Sequence, residues 1–388
     1  MNVLVLNAGS SSLKFQVIDT TSEESKIEGQ AEGIGLTTAQ FSFKENGQKT
    51  KEDKSIQDHD EAVSIVVDLI KEKIGLENLS AIGHRVVHGG EFYSDSVKID
   101  DSVIENIKKL FSLAPLHNPP NLSGILACQK IMPDKPQVAV FDTAFHQSIS
   151  KENFLYPIPY EHYENYRVRK YGFHGTSHRY VAGKAAELVG ENSKVITCHL
   201  GNGSSLCAIN GGKSVNTTMG FTPLQGVIMG TRSGDIDASI VEFLEEKEGM
   251  KVSEIITMLN KQSGLKGICG DSDMRTIHEQ RDAGSEKHEL AFQMLVHRLK
   301  SYVGCYMAEL NGADALIFTG GIGEKDEFVR EGVCKGLENL GIKIDYQKNL
   351  DTFAKFAELS LPESKVKVYV IPTNEELMIA KDTARILG

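Results

Sequence analysis

Short glycine-rich segments occur at three places in the 388-residue sequence; the first two are also rich in serine, and each of the three follows a run of apolar residues. They lie at residues 6–13, 200–206 and 319–324. A turn of this composition exposes backbone N–H groups and hydroxyls, and both can bind phosphate oxygens. A single copy is better explained by an ordinary hairpin turn, because Gly and Ser are common in turns. Three copies favour phosphate binding, and the third follows a predicted buried strand, as nucleotide-contacting turns do.

Two common nucleotide-binding motifs are excluded by the glycine spacing. The segment Gly212-Lys213-Ser214 is similar to the end of a P-loop, but the earlier glycine that this motif requires falls at Cys207. The dinucleotide-binding fingerprint fails in the second glycine-rich segment, because its third glycine would fall at Leu206. The first and second segments are alike, and Gly9 and Gly203 are separated by half the chain length. This repeat predicts a duplicated domain.

A second set of residues combines charge or hydrogen-bonding capacity with positions at strand-to-loop ends, where the sites of α/β proteins gather. The set consists of Arg85 beside a Gly-Gly turn, Asp142 after an apolar strand, His174 between two glycines, and Arg232 before a helix predicted near Ala238. Any one of them could instead be a surface arginine or a structural residue. A zinc site of His84 and His88 is disfavoured, because the two would lie about 13 Å apart along a strand without further ligands.

Strand and helix patterns alternate along the chain, which predicts an α/β fold. Apolar runs predict strands at residues 3–6, 13–18, 80–87, 137–141, 195–200, 204–209, 214–218, 315–319 and 366–371. Helical spacing predicts helices at residues 61–74, 177–188, 286–311 and 375–386, the second with Ser177 as its N-cap. Asn210-Gly211 predicts a hairpin. The polar residues 21–60 predict surface loops or edge hairpins.

The composition predicts a soluble, cytoplasmic protein of one or two domains. Lys plus Arg total 42 and Asp plus Glu total 53, so the net charge is −11, and neither nucleic acid nor an anionic membrane is an expected partner. The six cysteines form no Cys-x-x-Cys pair, which is typical of reduced thiols in the cytoplasm. No apolar run reaches the roughly 18 residues of a membrane span, and the N-terminus lacks the features of a signal peptide.

Over nearly its whole length the sequence resembles the acetate kinase family. The motifs that carry the resemblance lie at residues 6–15, 83–90, 141–146, 171–178, 199–205, 219–224, 229–237, 319–324 and 372–376. The resemblance implies two duplicated ribonuclease H-like domains of the actin-like ATPase type, with an active site in the interdomain cleft. It implies an N-terminal domain of residues 1–145 plus 375–388 and a nucleotide-binding domain of residues 146–374. The implied molecule is a homodimer that reversibly transfers the γ-phosphoryl group of ATP to acetate, giving acetyl phosphate and ADP.

The resemblance also implies roles for individual residues. Arg85 and Arg232 would hold the acetate carboxylate and the phosphoryl group in transfer, and His174 would donate to an equatorial oxygen. Asp142 has a proton-transfer role in the family, although orienting an arginine or a metal-bound water is an alternative. Asn7 and Glu375 would hold Mg²⁺, or Mn²⁺ in its place, directly or through water.

The remaining residues that the resemblance implies form two sets. The apolar pocket around the acetate methyl group would consist of Val87, Leu116, Phe173 and Pro223. The nucleotide-contacting positions would be Lys14, His199, Leu200, Gly201, Asn202, Gly203, Asp273, Met274, Arg275, Gly321, Ile322, Gly323, Glu324 and Lys325. The chain departs from the family pattern at Asn216, Gln225, Ala238 and Lys325, where Asp, Glu, Pro and Asn are common. Lys325 lies at the nucleotide turn and bears on the preference for the donor nucleotide.

Acetate is ionised at neutral pH and needs no general base to become a nucleophile. The difficulty is to bring the acetate anion up to the highly charged ATP, so catalysis should depend on positioning and charge neutralisation.

Two alternative functions stay open. Propionate and butyrate kinases share this fold, and one methylene in an apolar pocket changes binding by only about 1–3 kcal/mol. An actin-like or chaperone-like ATPase is the other, although it would not need the acceptor set Arg85, His174 and Arg232.

Overall fold

Each half of the chain builds a β-sheet of its own. In the computed structural model, which describes residues 1–45 and 47–388, the chain divides into two compact units. Unit 1 consists of Met1–Gln147 and Asn374–Gly388, and unit 2 consists of Ser148–Thr373. Unit 1 is therefore assembled from both ends of the chain.

Unit 1 contains a mixed sheet in which antiparallel and parallel strands meet at its first strand. The strands are β1 (Asn2–Ala8), β2 (Ser12–Asp19), β3 (Glu24–Glu32), β4 (Ala39–Glu45), β5 (Gln48–Lys54), β6 (Ala81–Val86), β7 (Val97–Lys98) and β8 (Gln137–Phe141). Their order is β5-β4-β3-β2-β1-β6-β8-β7. β1 is antiparallel to β2 and parallel to β6. Residues 3–6 of β1 are buried, as expected for a continuous apolar run in a strand covered on both faces.

The helices of unit 1 before residue 147 pack their apolar sides on this sheet. They are α1 (His59–Lys73), α2 (Asp101–Lys109) and α3 (Asn118–Ile131), with short 3₁₀ turns at Leu76–Asn78, Leu110–Ser112 and Ala144–Ser148. Asp58 and Asp100 cap α1 and α2, since each side chain accepts a hydrogen bond from a first-turn N–H. Val63, Val66 and Ile70 of α1 belong to the apolar core of the unit, in agreement with their helical spacing.

The polar segment at residues 21–60 forms the edge of this sheet, as predicted. β3, β4 and β5 are consecutive antiparallel strands. Every residue of the edge strand β5 is exposed. Its lysines, Lys49, Lys51 and Lys54, discourage pairing with a strand of another molecule.

Unit 2 repeats the central strand arrangement of unit 1. Its strands are β9 (Lys194–His199), β10 (Ser205–Asn210), β11 (Lys213–Thr217), β12 (Ala315–Thr319), β13 (Ala357–Glu358) and β14 (Lys367–Val370), in the order β11-β10-β9-β12-β14-β13. β9 is antiparallel to β10 and parallel to β12, which is parallel to β14. The strands β11-β10-β9-β12-β14 therefore match β3-β2-β1-β6-β8 in order and direction. The predicted α/β class with duplicated units is confirmed.

The helices of unit 2 surround this sheet. They are α4 (Lys151–Phe154), α5 (Glu161–Tyr166), α6 (Gly175–Val189), α7 (Ser239–Glu248), α8 (Val252–Lys261), α9 (Gly264–Cys269), α10 (Met274–Asp282), α11 (Glu286–Glu309), α12 (Gly320–Lys325), α13 (Glu327–Cys334) and α14 (Tyr346–Leu350), with a 3₁₀ turn at Glu338–Leu340. The predicted long helix and the helix predicted near Ala238 are present as α11 and α7. Leu295, Leu299 and Val303 of α11 are buried in the core, as their spacing predicts.

The predicted N-cap of α6 is wrong. The helix begins at Gly175, and its N-cap is His174, whose backbone is left-handed with φ 57° and ψ 22°. Ser177 lies inside the first turn, where its Oγ is 2.7 Å from Nδ1 of His199. The hairpin between β10 and β11 is confirmed, with a two-residue turn in which Gly211 and Gly212 have φ values of 54° and 72°.

The last helix, α15 (Glu375–Leu387), returns to unit 1 and packs on β6. A Cβ at Gly83 would collide with Ile379 and Thr383, so this glycine of β6 lets the helix approach the sheet closely. Asn374 caps α15 by accepting from the N–H of Leu377 at 2.9 Å. Glu375 thus lies in the first helical turn. Within the described ranges, no helix combines the length and apolar character needed to cross a membrane.

Candidate active site

Arg85 in unit 1 is held in place by a carboxylate. It lies near the end of β6, and Asp142 directly follows β8, the parallel neighbour of β6. Nε and Nη2 of Arg85 donate to Oδ1 and Oδ2 of Asp142 at 3.1 and 2.5 Å. Asp142 is 2% exposed and the Arg85 side chain is 22% exposed. Because two parallel hydrogen bonds fix a guanidinium group, this geometry favours the orienting role for Asp142 over proton transfer.

Further oxygen atoms gather around this ion pair. Asn7 of β1 accepts a hydrogen bond from Nη1 of Arg85 at 3.3 Å. Burial raises the pKa of Glu375 to about 7, because attraction to Arg85 only partly offsets desolvation and repulsion from Asp142 and Glu376 adds to it. Burial alone would lower the pKa of Arg85, but attraction to Asp142 and Glu375 outweighs burial and raises it.

These oxygen donors fit a divalent cation of the Mg²⁺ type. Mg²⁺ is commonly held by one or two carboxylates together with substrate phosphates and water. A cation beside Glu375 would also offset the burial and the carboxylate repulsion that together raise the pKa of Glu375. Among residues 1–45 and 47–388, no group of three or more His, Cys, Asp or Glu is placed to hold a metal ion. Asn7 and Glu375 alone would not fill the coordination shell of Mg²⁺, so substrate phosphates or water would have to supply the remaining ligands.

Two buried asparagines of α3 hold the loop that follows Arg85, and sequence analysis missed both. Oδ1 of Asn121 accepts from the N–H of Val87 at 3.0 Å. Oδ1 of Asn118 accepts from the N–H of His88 at 3.1 Å, and its Nδ2 donates to the carbonyl of His88 at 2.9 Å. The backbone after β6 is therefore fixed by side chains from a different element.

In unit 2, a histidine and an arginine converge on the second glycine-rich turn. A Cβ at Gly203 would lie 3.3 Å from Nη1 of Arg232 and 3.6 Å from Nε2 of His174. Nη1 of Arg232 donates to the carbonyl of Pro223 at 3.3 Å, and burial lowers the pKa of Arg232. In the part of the chain that the structure describes, no carboxylate forms an ion pair with Arg232. The side chains of His174 and Arg232 thus approach one turn, and among the described residues the charge of Arg232 is not neutralised by a carboxylate.

His174 occupies a backbone conformation that is uncommon for any residue other than glycine. Its ring stacks on that of His199 with the centroids 4.3 Å apart. Its Nδ1 lies 2.9 Å from Oγ of Ser205. Left-handed outliers of this kind cluster at functional sites, where the surrounding structure enforces them.

The third glycine-rich segment lies against the second. Gly320 has φ 76°, and a Cβ there would come within 2.7 Å of the carbonyl oxygen of Leu200. The N–H of Ile322 donates to the same carbonyl at 2.8 Å. Glu324, predicted as a nucleotide contact, accepts from the N–H groups of Gly320 and Thr373 at 2.9 and 3.1 Å. The predicted turn is thus the start of helix α12, and the carboxylate of Glu324 stabilises that start.

A pocket of about 840 Å³ in unit 2 collects many of the predicted nucleotide-contacting residues. The predicted residues that line it are Asn202, Asp273, Met274, Arg275, Gly321, Ile322 and Lys325. Sequence analysis missed the other lining residues, which are Ser272, His278, Asp326, Glu327, Phe328 and Phe353. Nε2 of His278 lies 2.8 Å from Oδ2 of Asp326, and its ring lies 4.9 Å from that of Phe328. His278 therefore ties α10 to the start of α13 across one side of the pocket.

Asp273 and Arg275 form an ion pair at the start of α10. Nε and Nη2 of Arg275 donate to the carboxylate at 3.1 and 2.6 Å. These hydrogen bonds lower the pKa of Asp273 to about 2. The Arg275 side chain is 87% exposed, so its charge is accessible to a phosphate group.

The other predicted residues differ in exposure. Val87 and Phe173 are 5% and 4% exposed, whereas Leu116, predicted for the same apolar pocket, is 66% exposed. Pro223 is partly buried. Lys14 pairs with Asn7 across the β1–β2 ladder and therefore lies in unit 1.

The disfavoured zinc site at His84 and His88 gains no support. Nε2 of His84 lies 2.6 Å from the side-chain oxygen of Gln137, so this ring nitrogen has a protein hydrogen-bond partner within the sheet. Burial lowers the pKa of His84 to about 4, so the ring is neutral at physiological pH.

Comparison with known proteins gives consistent results. The acetokinase family model matches residues 2–381. The acetate kinase of Carboxydothermus hydrogenoformans is 50% identical over 396 residues, covering 100% of this chain and 99% of that protein. The crystal structure of Porphyromonas gingivalis acetate kinase matches with a TM-score of 0.96 and 43% identity, covering 100% of both chains. A propionate kinase from Francisella tularensis matches with a TM-score of 0.95 and 45% identity, again over 100% of both chains.

Proposed function

The chain belongs to the acetokinase family, and we propose that it reversibly transfers the γ-phosphoryl group of ATP to acetate, giving acetyl phosphate and ADP. This is the activity of an acetate kinase, a phosphotransferase with a carboxylate acceptor. Beyond the family, one observation carries the proposal: His174 and Arg232, which has no carboxylate partner among the described residues, converge on the glycine-rich turn at Gly203. A cation and a second donor at such a turn suit a phosphoryl group, whose transfer depends on positioning and charge stabilisation.

The acceptor needs no activation by a base, because acetate is ionised at neutral pH. Asp142 therefore serves to orient Arg85 through its two hydrogen bonds. Arg85 binds the acetate carboxylate with the N–H groups that Asp142 does not use. The buried side chain of Val87, two residues further along, meets the methyl group of acetate.

During transfer, charge spreads over the equatorial oxygens of the phosphoryl group. Arg232 neutralises part of this charge, and the anion offsets the cost of burying a guanidinium group without a carboxylate partner in the described residues. His174 donates a further hydrogen bond from its ring. Neither side chain forms a covalent bond in this mechanism.

Asn7 and Glu375 are the residues that would hold Mg²⁺, or Mn²⁺ in its place. When bound, such a cation neutralises negative charge on the phosphate oxygens of the nucleotide. The oxygen donors around Arg85 and the raised pKa of Glu375 support this assignment.

ATP and ADP would occupy the pocket of unit 2 between the α10 start and the 320–325 segment. Arg275 and the backbone of the second and third glycine-rich segments suit phosphates, and Ile322, Phe328 and Phe353 supply apolar surface for the base. Lys325 adds a positive charge to this pocket. In this account residues 1–145 with 375–388 bind acetate, and residues 146–374 bind the nucleotide.

We also propose that the protein is a homodimer in the cytoplasm. Exposed apolar side chains on α7 and α8 support an interface, among them Phe243 and Val252, which are 58% and 48% exposed. Cys128, Cys198, Cys207, Cys269, Cys305 and Cys334 are free thiols, which suits a reducing compartment.

The test is the initial rate of ADP formation with and without acetate, in the presence of hydroxylamine to trap acyl phosphate. The proposal predicts ADP formation that depends on acetate and is matched by acetyl hydroxamate. ADP release at the same rate without acetate would identify a plain ATPase and contradict the proposal.

Propionate is the second candidate acceptor, because the matching propionate kinase structure is as similar to this chain as the acetate kinase structure is. The ratio of kcat/KM for acetate and propionate decides between the two. A ratio above one supports acetate as the preferred acceptor, and a ratio below one supports propionate.

A further inference from the structure

A buried chain of hydrogen bonds leads from the core of unit 2 to His174. Oγ of Ser205 lies 2.9 Å from Nδ1 of His174 and 2.8 Å from Nε2 of His178. Nδ1 of His178 lies 2.7 Å from Oγ1 of Thr197. Ser205, His178 and Thr197 are each 0% exposed. The proposed function uses none of these three residues.

Three elements bring this chain of residues together. His174 is the N-cap of α6 and His178 lies in its first turn, and both rings reach the same hydroxyl of Ser205. Thr197 lies on β9, and Ser205 begins β10 directly opposite His199 in the ladder. The stacked ring of His199 covers one face of the His174 ring.

The His174 ring is therefore constrained at its face and at Nδ1. The opposite nitrogen, Nε2, is the one that approaches the Gly203 turn, where a Cβ would lie 3.6 Å from it. The two nitrogens of an imidazole ring are not equivalent, because the partner of one sets which of them carries the proton.

We propose that Ser205 is a positioning residue that fixes the tautomer and the ring orientation of His174. A hydroxyl donates one hydrogen bond and accepts others, so Ser205 can bridge the two imidazole nitrogens that face it. His178 and Thr197 hold the hydroxyl in turn, since both are buried and bonded. A side chain that hydrogen-bonds a ligand-contacting residue in this way fixes the orientation of that residue. The inference rests on the proposed function, in which His174 contacts the phosphoryl group.

The experiment compares Ser205→Ala, His174→Ala and the double variant by kcat, by KM for acetate and ATP, and by melting temperature. Ser205→Ala is expected to lower kcat about tenfold and to change each KM less than about twofold, because the loss is confined to the transition state. His174→Ala is expected to lower kcat about 100-fold. Adding Ser205→Ala to His174→Ala should then change kcat less than about twofold, because the residue through which Ser205 acts is absent.

Two further variants keep the test independent of folding. Ser205→Thr retains the hydroxyl and is expected to recover most of the lost turnover. Ser205→Cys retains the size but forms weaker hydrogen bonds, so its kcat should fall in the same direction as that of Ser205→Ala.

Ser364→Ala is the matched control for stability. Ser364 is also a buried serine of unit 2. Its Oγ accepts from the N–H of Lys343 at 3.0 Å and lies within donating distance of the carbonyls of Gly341 and Val366, at 3.0 and 2.7 Å. Its replacement should lower the melting temperature without changing kcat.

An unchanged kcat in folded Ser205→Ala, or an equal reduction of kcat with and without His174, would overturn the role of Ser205. The proposed function fails by a different result, namely a wild-type protein whose ADP formation does not depend on acetate.

Discussion

Two arginines that the sequence singles out, Arg85 in unit 1 and Arg232 in unit 2, differ in how their charge is balanced. Arg85 donates two hydrogen bonds to Asp142, and nearby carboxylates raise its pKa despite burial. Arg232 donates to the carbonyl of Pro223, burial lowers its pKa, and no carboxylate among the described residues forms an ion pair with it. A paired arginine has a fixed orientation, whereas an unpaired buried one gains most when an anion arrives. The difference suits Arg85 to orienting a small carboxylate and Arg232 to the more highly charged phosphoryl group.

The two equivalent glycine-rich turns, at Gly9 and Gly203, also differ in the groups that surround them. In unit 1, the N–H of Gly9 donates to the carbonyl of Ser12 at 2.8 Å, and the carbonyl of Gly9 lies 2.8 Å from Nε2 of His59. In unit 2, Gly203 lies against the side chains of His174 and Arg232. One strand topology thus carries a turn that is tied into its own unit and another that faces hydrogen-bond donors. The phosphate-binding prediction is strongest for the second.

The arginine comparison predicts the largest effects. Arg232→Ala and Arg85→Ala should each lower kcat roughly 10³-fold, because Arg232 neutralises charge on the phosphoryl group and Arg85 positions acetate for the transfer. Their melting temperatures should differ. Arg85→Ala leaves Asp142 without its counterion and should lower the melting temperature, whereas Arg232→Ala removes an unbalanced cation and should not.

Arg385→Ala is the matched control for these variants. Arg385 pairs with Asp95 at 2.6 Å at the exposed surface of unit 1, far along α15 from Glu375. Its kcat should equal that of the wild type. Near-normal turnover in folded Arg85→Ala or Arg232→Ala would break the comparison.

A smaller and more selective effect is expected at His278. His278→Ala removes the contact with Asp326 that links α10 to α13, so two of the elements that line the nucleotide pocket are held together less firmly. KM for ATP should rise about tenfold while kcat and KM for acetate stay near wild type, since only donor binding is affected. His297→Ala, on the exposed side of the adjacent α11, is the control and should change neither constant. A rise in both KM values would instead indicate general loosening of the protein.

Val87→Ala should change specificity more than rate. Val87 is 5% exposed, yet among the described residues it joins none of the apolar core clusters, which fits a side chain that faces a ligand. Removing two methyl groups makes room for one more methylene, which an apolar pocket values at about 1–3 kcal/mol. The ratio of kcat/KM for propionate to that for acetate should therefore increase. An unchanged ratio with a lower melting temperature would make Val87 ordinary core.

The smallest effect concerns the acid stability of unit 1. Burial lowers the pKa of His84 to about 4 from its ordinary value near 6.5. Between these values the unfolded chain binds more protons than the folded one, so stability increases with pH and is lost as pH falls from 6.5 towards 4. His84→Gln keeps a partner for Gln137 without titrating and should show a shallower decrease. Melting temperatures at pH 4.5, 5.5 and 6.5 measure the slope, and equal slopes in both proteins would contradict this account of His84.

Sequence patterns predicted the strands and turns that carry the candidate residues better than they predicted the contacts between side chains. The apolar runs predicted the central strands of both sheets, and the first two glycine-rich segments predicted the turns between strands, because burial and turn geometry act over a few neighbouring residues. The third segment, predicted as a turn, forms the short helix α12 after β12. The predicted start of α6 was wrong. Ser177 is a good N-cap by type, but the N-cap is His174, three residues earlier, where the backbone is left-handed.

Contacts between distant residues had no local signal. Asn118 and Asn121 belong to an Asn-Pro-Pro-Asn run that is consistent with a helix start, but nothing in that run predicts hydrogen bonds to the loop after β6. His278 and Asp326 are likewise brought together only by tertiary structure, since α10 and α13 both pack on α11. The ion pair of Arg85 and Asp142 could be expected only as two polar residues at strand ends, because its two-bond geometry depends on strand order.

The central claim is that a carboxylate accepts the phosphoryl group of ATP, with acetate preferred. The most direct measurement is acyl hydroxamate formation from formate, acetate, propionate and butyrate, each with ATP, Mg²⁺ and hydroxylamine, alongside ADP release. The account predicts one hydroxamate per ADP, with the highest kcat/KM for acetate and a modest decrease for propionate. ADP release without hydroxamate, or a higher kcat/KM for propionate than for acetate, would contradict it.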